Sequence, residues 1–243
     1  VQTDPYGLDG TGIIVGVWDE GPIDINHPDL KPRVEMAPDQ IRATSDHAMH
    51  VVGTIGSSGI NVPAAGGMAP NVSIRVWDWD NKFNEIREAA EETDPQSAIR
   101  ISNHSYGPRI GYTLSNDRRR WIYRDNRSLF GKYTTDSETL DSIVKDTDHI
   151  VFKAAMNHRT EGGQDPPRGS DCRSWSLART GPSESSSIEQ GYDCIDPPGS
   201  AKNIITIGAA YRTTPDTDEE EWPADFSSFG PTDDGRIKPD LVA

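Results

Sequence analysis

Three things are scarce in these 243 residues. No run of 18 consecutive apolar residues occurs, so no segment reads as a membrane-spanning helix. Basic residues are outnumbered: 24 Lys and Arg stand against 39 Asp and Glu, a formal net charge of −15 with a pI of about 4.7. That balance argues against nucleic acid or an anionic membrane as a partner, because both need phosphate-neutralising surface. There are only two cysteines, Cys172 and Cys194, inside a stretch rich in Gly, Pro, Ser and Asp. A disulfide between them would close a loop of about 23 residues and stabilise the fold by roughly 3 kcal/mol on the chain-entropy view. Two free buried thiols are the alternative. The sequence opens on Val1 with no start methionine and no signal-type segment, which reads as a mature or trimmed chain.

What is present is a succession of short apolar runs with polar ends, in a length that suits one large α/β domain over 1–243. Ile13 to Trp18 has the character of a central parallel strand covered on both faces, and it stops at Asp19-Glu20-Gly21-Pro22. A carboxylate at the carboxyl end of such a strand sits where open α/β sheets place their sites. It is also an ordinary turn former before Gly-Pro. Further strands are predicted over 72–77, 99–107, 149–157 and 201–209. Residues 81–93 read as an amphipathic helix with Phe83, Ile86, Ala89 and Ala90 inward and Glu85, Arg87, Glu88 and Glu91 outward. Thr135-x-x-Glu138 is a capping-box pattern opening another helix.

The organising stretch is Ser45 to Gly56. A capping pair precedes His47-Ala48-Met49-His50, and the small and apolar residues that follow predict a helix that runs into the core and exposes only its first turn. A histidine on that turn is rigid yet reachable, as a general base must be. His-x-x-His also serves as a core or metal-ligand pair. The familiar zinc helix, however, spaces its histidines four apart with a Glu between.

His47-Ala48-Met49-His50-Val51-Val52-Gly53-Thr54 resembles the histidine motif of the subtilases, the subtilisin-like serine peptidases. So does the order of the other motifs: Asp19-Glu20-Gly21, then His27-Pro28-Asp29-Leu30, Gly67-Met68-Ala69-Pro70, Asn103-His104-Ser105-Tyr106-Gly107, Ala154-Ala155-Met156-Asn157, Phe226 to Pro231, and Lys238-Pro239-Asp240. The resemblance implies a doubly wound, mainly parallel α/β sheet with helices on both faces. It implies His47 as base, Asp19 as the carboxylate that orients it, and Asn157 as an oxyanion donor. Ser105, Tyr106 and Gly107 would pair with an extended peptide as an added strand, and Ala154, Ala155 and Met156 would line the adjoining wall. Met156 replaces the family's glycine and is expected to reshape that wall. Ser105 lacks a Gly-x-Ser-x-Gly elbow and does not read as a nucleophile.

The family's Gly-Thr-Ser-Met-Ala does not occur in the 243 residues. The expectation is therefore an incomplete catalytic domain of a secreted or extracytoplasmic serine endopeptidase, inactive without a serine from beyond residue 243. Ala48, Met49 and Met156 also suit a non-catalytic peptide-binding module on the same scaffold. Protein or peptide substrates are the implied partners, with room for a pro-peptide. No cofactor is needed for the chemistry, and acidic loops leave room for structural calcium, although no ligand set has a recognisable spacing. The basic and aromatic residues over 118–124 are expected to form local salt bridges, in an arm inserted over 111–133.

Overall fold

The computed structural model describes residues 2, 5–38, 40, 42–114, 121–124, 126–159, 193–211 and 223–243. They divide into two compact units, Val1–Tyr106 with Ile143–Phe152, and Gly107–Ser142 with Lys153–Ala243. Seven strands, β1 (Ile14–Asp19), β2 (Val34–Met36), β3 (Ser73–Asp78), β4 (Ile101–His104), β7 (Ile150–Ala154), β8 (Ile205–Gly208) and β9 (Leu241–Val242), form an α/β sheet in the order β2-β3-β1-β4-β7-β8-β9, and β5 (Gly111–Leu114) with β6 (Trp121–Arg124) forms a separate two-stranded sheet.

In the first unit the predicted strands fall close to expectation: β1 is Ile14–Asp19, β3 Ser73–Asp78 and β4 Ile101–His104. The pairs β1 with β3 and β1 with β4 are parallel. The three-residue β2, Val34–Met36, was too short to announce itself by periodicity; it pairs parallel to β3. Trp18 and Trp77 are register partners, and their rings stack at 4.2 Å. Beneath the sheet, Val15, Val17, Val34, Ile74 and Val76 pack against Ala48 and Val52 of helix α1, Asp46–Gly56. Burial of such side chains stabilises by roughly 1.5–3 kcal/mol each. The Arg33 guanidinium gathers three backbone carbonyls, those of Asp29, Gly56 and Val72, at 2.8–2.9 Å. It thereby ties the His27-to-Leu30 stretch to the end of α1.

Two expectations need correction here. Helix α1 is not buried all round: Ala48, Val52 and Gly56 form a sealed stripe, whereas Asp46, His47, His50 and Thr54 are exposed. A stripe spaced by four residues is enough to cover a sheet on one side, so the other side of the helix stays open. Glu85, expected outside on α2 (Lys82–Glu91), is half-buried and accepts a hydrogen bond from the Trp18 indole at 3.1 Å. Desolvation is the main cause that pushes its carboxyl up to about 7.

In the second unit, β8 (Ile205–Gly208) pairs parallel to β9 (Leu241–Val242). The expected insertion contains an antiparallel hairpin of β5, Gly111–Leu114, and β6, Trp121–Arg124. Residues 118–120 of the basic run lie outside the described residues. Helix α3, Thr135–Asp146, opens one residue earlier than the predicted box, since it is the Thr134 N–H that reaches Ser137 Oγ, at 3.4 Å. Strand β7 is Ile150–Ala154.

Candidate active site

The site in the first unit is built from a strand end and a helix start. Asp19 closes β1, and the chain then turns through Glu20-Gly21-Pro22. A Cβ at Gly21 would lie 2.4 Å from the Ala43 carbonyl oxygen, so only glycine lets the two backbones pass this closely. The Ser45 N–H donates to the Pro22 carbonyl at 2.8 Å. Ser45 is also the N-cap of α1, its Oγ accepting from the Ala48 N–H at 3.1 Å while its hydroxyl donates to Glu20 at 3.0 Å. The helix thus starts at a fixed height beside the end of β1.

That placement brings His47 onto Asp19. His47 Nδ1 lies 2.6 Å from Asp19 Oδ1, which also accepts the Glu20 N–H at 2.7 Å. A carboxylate oxygen can only accept, so the proton sits on Nδ1 and Nε2 is left for proton transfer. Asp19 is sealed from solvent while the His47 side chain is 51% exposed. Its hydrogen bond to Asp19 raises the His47 pKa above its ordinary value; partial desolvation opposes this, and the charges of Asp19 and Glu20 add to it.

In the second unit β7 runs out into Ala155-Met156-Asn157. The Ala155 N–H donates to the Ile207 carbonyl at 2.8 Å, and the Met156 carbonyl accepts from the Ser228 N–H at 3.0 Å. Between these two anchors Met156 adopts φ +71°, a left-handed conformation that costs a non-glycine residue about 1–3 kcal/mol. Asn157 follows and is exposed.

A family model, Peptidase_S8, described as "Subtilase family", matches residues 10–243. The chain belongs to the subtilase family. Among proteins of known description, this subtilase is 26% identical to the Dictyostelium discoideum "Serine protease/ABC transporter B family protein tagA", over 99% of this chain and 17% of that protein. Solved structures with the same fold include the S41 psychrophilic protease (TM-score 0.57, 18% identity, 100% of this chain and 69% of that one). Sphericase is another (TM-score 0.55, 20% identity, 91% and 60%). The subtilase chain therefore spans about a sixth of the length of tagA and well over half of these structures.

Of the residues that motif order singled out in this subtilase, Asp19 and His47 meet in the first unit, which also holds Ser105 and Tyr106. Gly107, Ala154, Ala155, Met156 and Asn157 belong to the second. Ser105 Oγ accepts from the Asn103 side-chain amide at 3.0 Å. Cys194 is disulfide-bonded; Cys172 lies outside the described residues. Among the described residues no three His, Cys, Asp or Glu side chains converge as metal ligands. At the end of β3, Asp80 pairs with Arg42 at 2.8 Å and so belongs to an ion pair.

The second unit also contains a charged group that motif reading passed over. Lys153, on β7, is fully buried; its Nζ donates to the Ala154 carbonyl at 2.9 Å and lies 4.0 Å from Asp196 Oδ1. His158 Nε2 is 3.9 Å from Asp196 Oδ2. Burial pushes the Lys153 pKa down and Asp196 pulls it back up. A Cβ on Gly107 would sit 1.9 Å from Asp196 Oδ2, which accounts for glycine at that position. The sequence signal was a lone lysine inside the apolar run of β7.

Proposed function

We propose that this chain supplies the aspartate, histidine and oxyanion-donor parts of a subtilisin-like serine endopeptidase, acting on protein or peptide substrates outside the cytoplasm. The observation that carries the reading is the 2.6 Å contact between a sealed Asp19 and a half-exposed His47. His47 Nε2 removes the proton of a serine supplied from outside these 243 residues and returns it to the leaving amine. Asp19 holds the ring in the required tautomer and stabilises the imidazolium, and the Asn157 side-chain amide donates to the oxyanion. The 243 residues alone turn over no peptide. The protease named among the relatives supports the reaction class.

The test uses the longest product of the coding sequence, a fluorophosphonate probe and a denatured protein substrate. Because the base acts uncharged, activity rises with pH through the raised His47 pKa. Asp19→Asn moves that acid limb to lower pH and reduces the plateau by about 10⁴-fold. A product that carries Gly-Thr-Ser-Met-Ala yet neither labels nor hydrolyses refutes the peptidase reading. A coding sequence without that motif, in a protein that still binds extended peptides, establishes the binding-module alternative.

A further inference from the structure

Strand β4 carries polar side chains where a central parallel strand ordinarily carries apolar ones. Ser102, His104 and Tyr106 follow the two-residue period of one strand face, and all three are more than nine-tenths buried. His149, equally buried and just ahead of β7, meets them within the first unit. Four contacts make a chain: His149 Nδ1 to the Ile99 carbonyl at 2.9 Å, His149 Nε2 to Ser102 Oγ at 2.8 Å, Ser102 Oγ to His104 Nε2 at 2.7 Å, and His104 Nδ1 to the Tyr106 hydroxyl at 3.0 Å.

The direction of the first three hydrogen bonds follows from one end. A carbonyl only accepts, so His149 Nδ1 carries a proton. Burial pushes the His149 pKa down, so the ring is neutral and its bare Nε2 accepts from the Ser102 hydroxyl. Having given its one hydrogen, Ser102 accepts from His104 Nε2–H. With its Nε2 proton engaged by Ser102, His104 turns Nδ1 to the Tyr106 hydroxyl. His149 thus carries its proton on Nδ1, and His104 carries one on Nε2. Trp18, the neighbour of Asp19, stacks on His104 at 5.2 Å with the ring planes 15° apart.

Regular strand ends at His104, and the buried Tyr106 continues the same side-chain row just beyond it. We propose that Ser102, His104 and His149 are positioning residues for substrate recognition, holding Tyr106 so that the backbone of Ser105 and Tyr106 is set to receive an extended peptide. This rests on the reading of that segment as the peptide-pairing edge.

Two measurements on the 243-residue chain test it. Nitrogen-15 NMR of labelled histidines is expected to show His104 as the Nε2–H tautomer and His149 as the Nδ1–H tautomer at pH 7. The same Nε2–H form on both rings, or a charged His149, overturns the chain. Binding of a fluorescein-labelled, reduced and alkylated insulin B chain is then compared across Ser102→Ala, Tyr106→Phe and the double variant. Each single change weakens binding about five- to tenfold, the range of one net hydrogen bond, and the double variant is no weaker than either single. Additive losses overturn the positioning role while leaving the peptide reading intact. Absence of binding by the unaltered chain overturns the peptide reading, and the positioning role with it, whatever the tautomers.

Discussion

Lys153 is the position where a single substitution tests the physics beneath the site. Replacing it with methionine keeps the length and apolar stem of the side chain and deletes the charge, leaving Asp196 sealed in the second unit. At the observed 4.0 Å, two unit charges at an effective dielectric of 20 interact by about 4 kcal/mol. Removal of one partner from a buried pair costs about 3–5 kcal/mol. Burial already lowers the Lys153 pKa and so offsets part of that cost, which places the expected loss near the lower end, about 3 kcal/mol. For a chain of this size each kcal/mol shifts Tm by about 2–4 °C, so the variant is expected to melt about 6–12 °C lower. Urea denaturation and calorimetry at pH 7 provide the reading. The double variant Lys153→Met with Asp196→Asn removes both charges in similar volume and is expected to recover most of the loss. A single variant that loses less than about 1 kcal/mol, or a double variant no more stable than the single, refutes the claim that this pair is electrostatically coupled.

Two further outcomes are expected. Ser45→Ala removes the N-cap of α1 and the hydroxyl bonded to Glu20, so urea denaturation should show a loss of about 1 kcal/mol, up to 2. Glu85→Gln bears on pH: with its folded pKa raised to about 7, Glu85 contributes most below its unfolded value near 4.5, and that contribution is lost as pH rises through about 7. The glutamine keeps an acceptor for the Trp18 indole without the charge. Thermal melts of the two proteins should coincide near pH 4.5 and diverge above pH 7, with the variant more stable by about 1–2 kcal/mol once solvent screening of this half-exposed side chain is discounted.

By itself the sequence determined the elements and their order. The apolar runs that became β1, β3, β4, β7 and β8 and the Ser45 cap are local patterns, and a local pattern states which residues turn inward, whereas the sequence read α1 as buried beyond its first turn and the fold left it a single stripe. Motif order also named Asp19 and His47 before their contact across 28 positions was visible. Tertiary structure alone decided which polar groups lose water together. Nothing in the spacing announces that Glu85 takes the Trp18 indole, that Lys153 meets Asp196, or that His149 reaches Ser102 across 47 positions. Periodicity fixes the face of a strand or helix, but desolvation and partner choice depend on what the folded chain lays against that face, and those set the charges and tautomers of the site.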